Sequence, residues 1–197
     1  GGMLTPFGNP QNLFLYTRFS IPTGEFMGIM APPFVLAVIL ITICCLFIKK
    51  EQLDFLDWEM GVFFHFGIRT FYEGHADWDG KPMPVEGFKP TELDCENWIK
   101  TVKEAGAKYA VFVCKHHDGF ANWPSKYTEY SVKNAPWKNG KGDVVREFTD
   151  ACRKYDIKVG LYYSPAQVDF GSTSGKEYDD YFINQISELL ENYGKID

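Results

Sequence analysis

Ala105-Gly-Ala-Lys-Tyr-Ala-Val-Phe-Val-Cys-Lys-His-His-Asp-Gly-Phe-Ala-Asn-Trp123 is the stretch on which the fold turns. Tyr109 to Cys114 is apolar, β-branched and aromatic, bounded by Gly106 and Gly119 and too short for a helix, so it reads as a strand buried on both faces. Lys115-His-His-Asp-Gly-Phe120 then stands at its carboxyl end. Parallel α/β folds gather ligands at that end, because the departing loops converge there. Successive strand residues face opposite ways, so His116 and His117 cannot share an orientation while the strand lasts, and one of them can serve as a hydrogen-bonded structural histidine. The same alternation puts Cys114 and His116 on one face. A metal centre is disfavoured all the same, since no other Cys/His pair has ligand spacing and zinc takes three or four such ligands. Most weight falls on a polar pocket for a hydroxyl-rich or anionic ligand, which suits neutral imidazole because it both donates and accepts.

The flanking segments repeat the pattern. Upstream, Met60 to Phe66 is a strand-like run carrying His65 towards its carboxyl end before Gly67, followed by a long polar and aromatic loop over 68–93 that holds His75, Asp77, Trp78 and Asp79. Asp94 to Ala105 has helical spacing at Trp98, Val102 and Ala105, with Asp94 as N-cap and Gly106 as the stop. Downstream of a second long loop, Asp143 caps a helix that ends at Lys154 and directs Val144, Val145, Phe148 and Cys152 to a core. Ile157 to Ser164 is a third strand, and Gly175 to Tyr193 a third helix, apolar at Phe182, Ile186, Leu189 and Leu190. Lys195-Ile-Asp197 leads towards a fourth strand. Three β-loop-α units with polar groups at each strand's carboxyl end predict a parallel α/β fold, and loops of this length favour a (β/α) barrel over an open sheet. No Gly-rich phosphate loop, nucleotide fingerprint or Gly-x-Ser-x-Gly elbow is present.

The first fifty residues differ in texture. Phe26 to Ile48 lacks any charge and is long enough to cross a hydrocarbon core, predicting a hydrophobic helix over about 28–48, with Pro32-Pro33 placing its start near Ala31 or Pro32. Lys49-Lys50 closes the run and, by the positive-inside rule, puts residues 51–197 in the cytoplasm with 28–48 as a membrane anchor. No signal peptide is expected, because there is no basic start and no small-residue cleavage site after the run. Arg18, Lys49 and Lys50 against Glu25 give residues 1–50 a net charge of +2, which leaves −8 of the total −6 to the rest. Such an acidic portion, with no basic stripe, argues against nucleic acid as a partner. With 17% aromatic and 45% hydrophobic residues, disorder is excluded. Five scattered cysteines, two of them adjacent, make no disulfide framework and point to a reducing compartment.

Two resemblances emerge from these residues. Gly1-Gly-Met-Leu-Thr-Pro-Phe-Gly-Asn-Pro-Gln-Asn-Leu13, the Ile-Pro-Thr-Gly-Glu-Phe segment and the apolar helix ending in Lys-Lys resemble, over residues 1–50, an internal fragment of an arsenite/anion permease of the ion transporter superfamily. Over residues 52–197, His65-Phe-Gly67, Ala105-Gly-Ala-Lys-Tyr109, Lys115-His-His-Asp-Gly-Phe120 with Trp123 and Ser125, and Gly160-Leu-Tyr-Tyr-Ser164 resemble the α-L-fucosidases of glycoside hydrolase family 29. Phe66 stands where many members carry tryptophan.

The second resemblance implies the first three β/α units of an incomplete (β/α)8 TIM-like barrel, and retaining hydrolysis of α-L-fucosyl linkages in a fucosylated oligosaccharide or glycoconjugate, with no metal and no cofactor. His65, His116 and His117 would hold the sugar hydroxyls, Tyr163 would lie near the nucleophile, and Trp78 would wall the pocket. A retaining mechanism needs a nucleophile and an acid/base carboxyl about 5–5.5 Å apart. In the family the nucleophile ends the fourth strand in a Trp-x-Asp-Gly context, so both catalytic carboxylates are expected beyond Asp197 and these residues alone are expected to be inactive. The alternatives are a non-catalytic sugar-binding module that keeps the histidine pocket, and a membrane transporter fragment.

Overall fold

The computed structural model describes Arg18 and residues 22–47, 50–74, 82–166 and 175–197. The chain divides into two compact units, Gly1–Asp57 and Trp58–Asp197.

In the first unit, helix α1 spans Thr23–Cys45 and a short helix α2 spans Lys50–Asp57. The helix starts well before the expected Ala31 or Pro32 and carries Pro32 and Pro33 in its interior. Pro22, which lacks an N–H but whose carbonyl accepts from Phe26 N at 2.9 Å, sets the start instead. By length and composition α1 could cross a membrane, and its most apolar window is unburied. Helix α2, not anticipated from the sequence, exposes Leu53, Phe55 and Leu56.

The second unit is built on three parallel strands, β1 (Gly61–Phe64), β2 (Tyr109–Lys115) and β3 (Lys158–Tyr163), adjacent in that order. Helices α3 (Cys95–Glu104), α4 (Val144–Lys154) and α5 (Lys176–Asn192) follow the strands in turn. The first two begin where local chemistry requires. Asp94 accepts from Asn97 N at 2.8 Å and Asp143 from Arg146 N at 2.9 Å, each satisfying a donor that has no partner within the helix. Gly106, at φ +85°, turns the chain out of α3 into β2.

One face of the sheet packs on helices. Phe64 lies 5.4 Å from the Trp98 ring and 5.7 Å from Phe148, and Phe112 lies 5.1 Å from Phe148. Val102, Val145, Phe148 and Cys152 are buried there, as helical periodicity predicted, and Ile99, which that reading did not name, is buried with them, whereas Ala105 is exposed at the end of α3. Leu190 departs from that prediction and is 58% exposed. The buried stripe of α5 is instead Tyr178, Gln185, Glu188 and Leu189, because α5 offers hydrogen-bonding groups as well as apolar ones to the loop after β2.

The central strand contains an irregularity that positions everything beyond it. Val113 pairs with Tyr162, but the next pair joins Lys115 to Tyr163, so Cys114 is an extra residue in β2. Such a bulge puts two residues opposite one and reverses the alternation that follows. Cys114 keeps the helix-side facing of Phe112 while His116 is turned to the opposite face, which corrects the expected shared face of these two residues. After α5, Lys195-Ile-Asp197 runs beside β3, with Asp197 N donating to Val159 O at 2.9 Å.

Candidate functional site

His65 follows β1 directly and His116 follows β2, so pairing of the two strands brings the imidazoles together with ring centroids 4.4 Å apart. The strand has ended by His116, and with its geometry gone the constraint on successive residues is lifted. The His117 ring lies 4.0 Å from that of His116. Its Nδ1 is hydrogen-bonded to Ser164 Oγ at 2.5 Å, just past the end of β3. Three strand ends thereby converge on one row of imidazoles.

Beside the row opens a cleft of about 290 Å³, whose lining includes His65, Gly67, Arg69, His116, Asp118 and Asn122. Asp118 Oδ1 accepts from Phe120 N at 3.0 Å, and Gly119 N donates to His116 O at 3.1 Å, so the turn carrying the two histidines is internally bonded. Asp118 Oδ2 also lies 3.6 Å from Arg69 Nε, and both side chains are buried. Arg69 belongs to a 3-10 turn, Ile68–Phe71, that follows His65. This ion pair therefore links the segments carrying His65 and His116.

Tyr163 takes a different course. Its hydroxyl donates to Gln185 Oε1 at 2.6 Å and its ring packs edge-on to Phe182, both on α5. Burial, reinforced by Tyr181 and Tyr178, pushes the phenol above its ordinary range and keeps it a neutral donor. Lys115 Nζ rests 4.6 Å from the centre of its ring. Tyr162 is the tyrosine on the histidine side, its ring 6.1 Å from His116 and 5.6 Å from Phe63. Sequence placed both tyrosines at the strand's end, and the pairing of Val113 with Tyr162 separates their roles. Trp78, together with His75, Asp77 and Asp79, lies outside the described residues. Arg69 and Asn122 carry no motif signal, and only the tertiary fold shows them at the cleft.

The site can donate to and accept from several hydroxyls at once, with Phe63 and Tyr162 supplying an apolar flank. Asp118, its carboxylate, is already bonded to the backbone and paired with Arg69. Among the described residues no group of three or more His, Cys, Asp or Glu is arranged to hold a metal ion.

A parallel α/β unit with a row of imidazoles at its strand ends is, in class, a site suited to a hydroxyl-bearing ligand, and comparison with known proteins gives it a family. The family model described as alpha-L-fucosidase matches residues 48–197, so the chain belongs to that family. Alpha-L-fucosidase 1 of Arabidopsis thaliana is 41% identical over 152 residues, which make up 75% of this chain and 29% of that protein. A crystal structure of a glycoside hydrolase 29 family member from an unknown rumen bacterium superposes with a TM-score of 0.70 at 45% identity, over 75% of this chain and 26% of that one. The α-L-fucosidase of Lactobacillus casei in complex with α-L-fucose product superposes with a TM-score of 0.62 at 26% identity, over 75% of this chain and 60% of that one. The chain thus spans less than a third of the length of the first two of these relatives.

Proposed function

We propose that residues 52–197 form the sugar-binding first part of a retaining α-L-fucosidase, the first three β/α units of a (β/α)8 barrel, acting on a fucosylated oligosaccharide or glycoconjugate. The observation that carries this reading is the row His65, His116 and His117 across three parallel strand ends. His65 and His116 bind sugar hydroxyls, and His117, oriented by Ser164, presents its other ring nitrogen to a third. The methyl edge of fucose lies against the apolar flank at Phe63 and Tyr162, while Tyr163 supports the wall from behind through Gln185.

The nucleophile and acid/base belong to sequence beyond Asp197, in the family's Trp-x-Asp-Gly context. Asp118 is not assigned to either role, because an aspartate held by Arg69 and by a backbone N–H is poorly placed to attack. Residues 1–50, of permease-like origin, anchor the chain in a membrane through 28–48 and leave residues 51–197 on the cytoplasmic side. The support is the length and unburied apolar surface of α1, closed by Lys49-Lys50.

The decisive experiment measures hydrolysis of an aryl α-L-fucoside by the protein together with the sequence that continues it. His116→Ala is expected to lower kcat/KM by about 100-fold, a loss of about 3 kcal/mol in transition-state binding. His75→Ala is expected to change it little. Fucose binding without any turnover would identify a sugar-binding module instead. Resistance to alkaline carbonate extraction tests the anchor.

A further inference from the structure

We propose that Asn122 is the positioning residue for the His65–His116 pair, acting by holding the bulge in β2 that turns His116 into the cleft. A bulge disrupts the ladder where it occurs, and buried carbonyls around it still need donors. Asn122 supplies two of them. Its backbone N–H bonds Cys114 O at 2.9 Å, and its side-chain Nδ2 bonds Val113 O at 3.0 Å. Nδ2 also bonds Phe66 O at 2.8 Å, one residue beyond His65. A single amide therefore ties the backbone beneath His116 to the backbone beside His65. Two carbonyl oxygens at hydrogen-bonding distance accept an NH2 and repel an oxygen, so chemistry fixes which way the amide faces.

The amide is itself anchored. Asn122 is 2% exposed, and its backbone carbonyl accepts from Val144 N at 3.0 Å, at the start of α4. Ala121, just before it, is bonded to Tyr130 O and to Val132 N. The register of the bulge is thus referred to helix α4 and to the loop after β2, and the two imidazoles inherit it. Asn122 reaches them only through backbone, which is why its role is positioning.

The test uses the full chain labelled with 13C-histidine, whose four histidines give a sparse spectrum. Wild type should show nuclear Overhauser contacts between the His65 and His116 rings. Asn122→Asp keeps the size but sets an oxygen against two carbonyls, and Asn122→Ser shortens the reach. Both should lose the ring contacts while still melting cooperatively. A ligand readout rests on the fucosidase reading: each variant should weaken L-fucose binding at least about ten-fold, and Asn122→Asp should add less than about two-fold in a His116→Ala background, because residues acting through one another are not additive. If wild type does not bind L-fucose, the fucosidase reading falls and the ring contacts alone decide the role of Asn122. Ring contacts retained in Asn122→Asp, or full additivity with His116→Ala, would overturn the proposal. So would loss of cooperative melting in both variants, which would assign Asn122 to folding alone.

Discussion

Glu188, on α5, accepts the indole hydrogen of Trp123 at 3.0 Å from 65 residues away in sequence. The same carboxylate takes the Ser125 hydroxyl at 2.7 Å and Lys126 N at 2.8 Å, and Gln185 joins Ser125 to Tyr163. The loop after β2, the end of β3 and one face of α5 are thus joined by one buried set of hydrogen bonds. Glu188→Gln replaces an acceptor oxygen with an NH2 facing donors. It should destabilise the second unit by about 2–3 kcal/mol, since hydrogen bonds to charged groups are worth about 1.5–3 kcal/mol and a buried donor left unmet costs its desolvation. Urea denaturation followed by tryptophan fluorescence measures this, and a change within error would show that the set contributes nothing net.

The Arg69–Asp118 pair should behave asymmetrically. Removing one partner leaves a buried charge, so Arg69→Met should cost about 3 kcal/mol or more. The double variant Arg69→Met/Asp118→Asn should recover much of that loss, because no charge is then left behind. Equal losses in the single and double variants, compared by denaturant midpoint, would remove the ion pair from the account.

Thiol chemistry should sort the five cysteines by environment. Burial pushes Cys95 and Cys152 up to about 12, and Cys114, wholly enclosed, is pushed well above its ordinary range. Cys44 and Cys45 are exposed on α1. At pH 8 in detergent a small maleimide should label two thiols quickly and the other three only on unfolding. Five rapid equivalents would contradict the packing of α3 and α4 against β2.

Asp143 gives a pH dependence of definite sign. Burial raises its carboxyl, outweighing the lowering effect of the Arg146 N–H and the Tyr193 hydroxyl. A folded pKa above the unfolded one gives stability that is present below the unfolded value and lost as pH rises through the folded value. An asparagine side chain in its place cannot ionise, still accepts from Arg146 N through its oxygen, and can donate its NH2 to the Tyr193 hydroxyl. The stability of Asp143→Asn relative to wild type should therefore improve between about pH 3 and pH 7, through the carboxylate range. Melting temperatures at the two ends of that range decide it, and a difference that does not change with pH would show that Asp143 titrates as in the unfolded chain.

What could be read in the sequence was set by local chemistry. Asp94 and Asp143 stood out as helix starts because a cap is made within three residues, and the strands stood out because their apolar runs are bounded by glycines. His65 and His116 could be assigned to one end of a parallel sheet on the same grounds. The facing of Cys114 and His116 could not, because it follows from a bulge satisfied by an asparagine eight residues after it, whereas Tyr162 and Tyr163 are divided by the plain alternation of β3. Strict alternation is valid up to Cys114 and fails beyond it. Leu190 was misplaced for a related reason: the stripe that α5 buries is chosen by its bonds to Ser125 and Trp123, and a hydrophobicity pattern does not register those partners. The start of α1 was misjudged because two prolines suggested a beginning, when Pro22 already supplied one.

The path of the backbone in β2 carries as much information as residue identity. With the bulge at Cys114, the ammonium of Lys115 lies against the Tyr163 ring on the covered side and the imidazole of His116 meets His65 in the cleft. The same residues in unbroken alternation would exchange those destinations, setting a cation in the cleft and a polar ring in the core. Deleting Cys114 would instead restore regular pairing and leave both side chains where they are, so in this strand a one-residue deletion is milder than the loss of one irregularity.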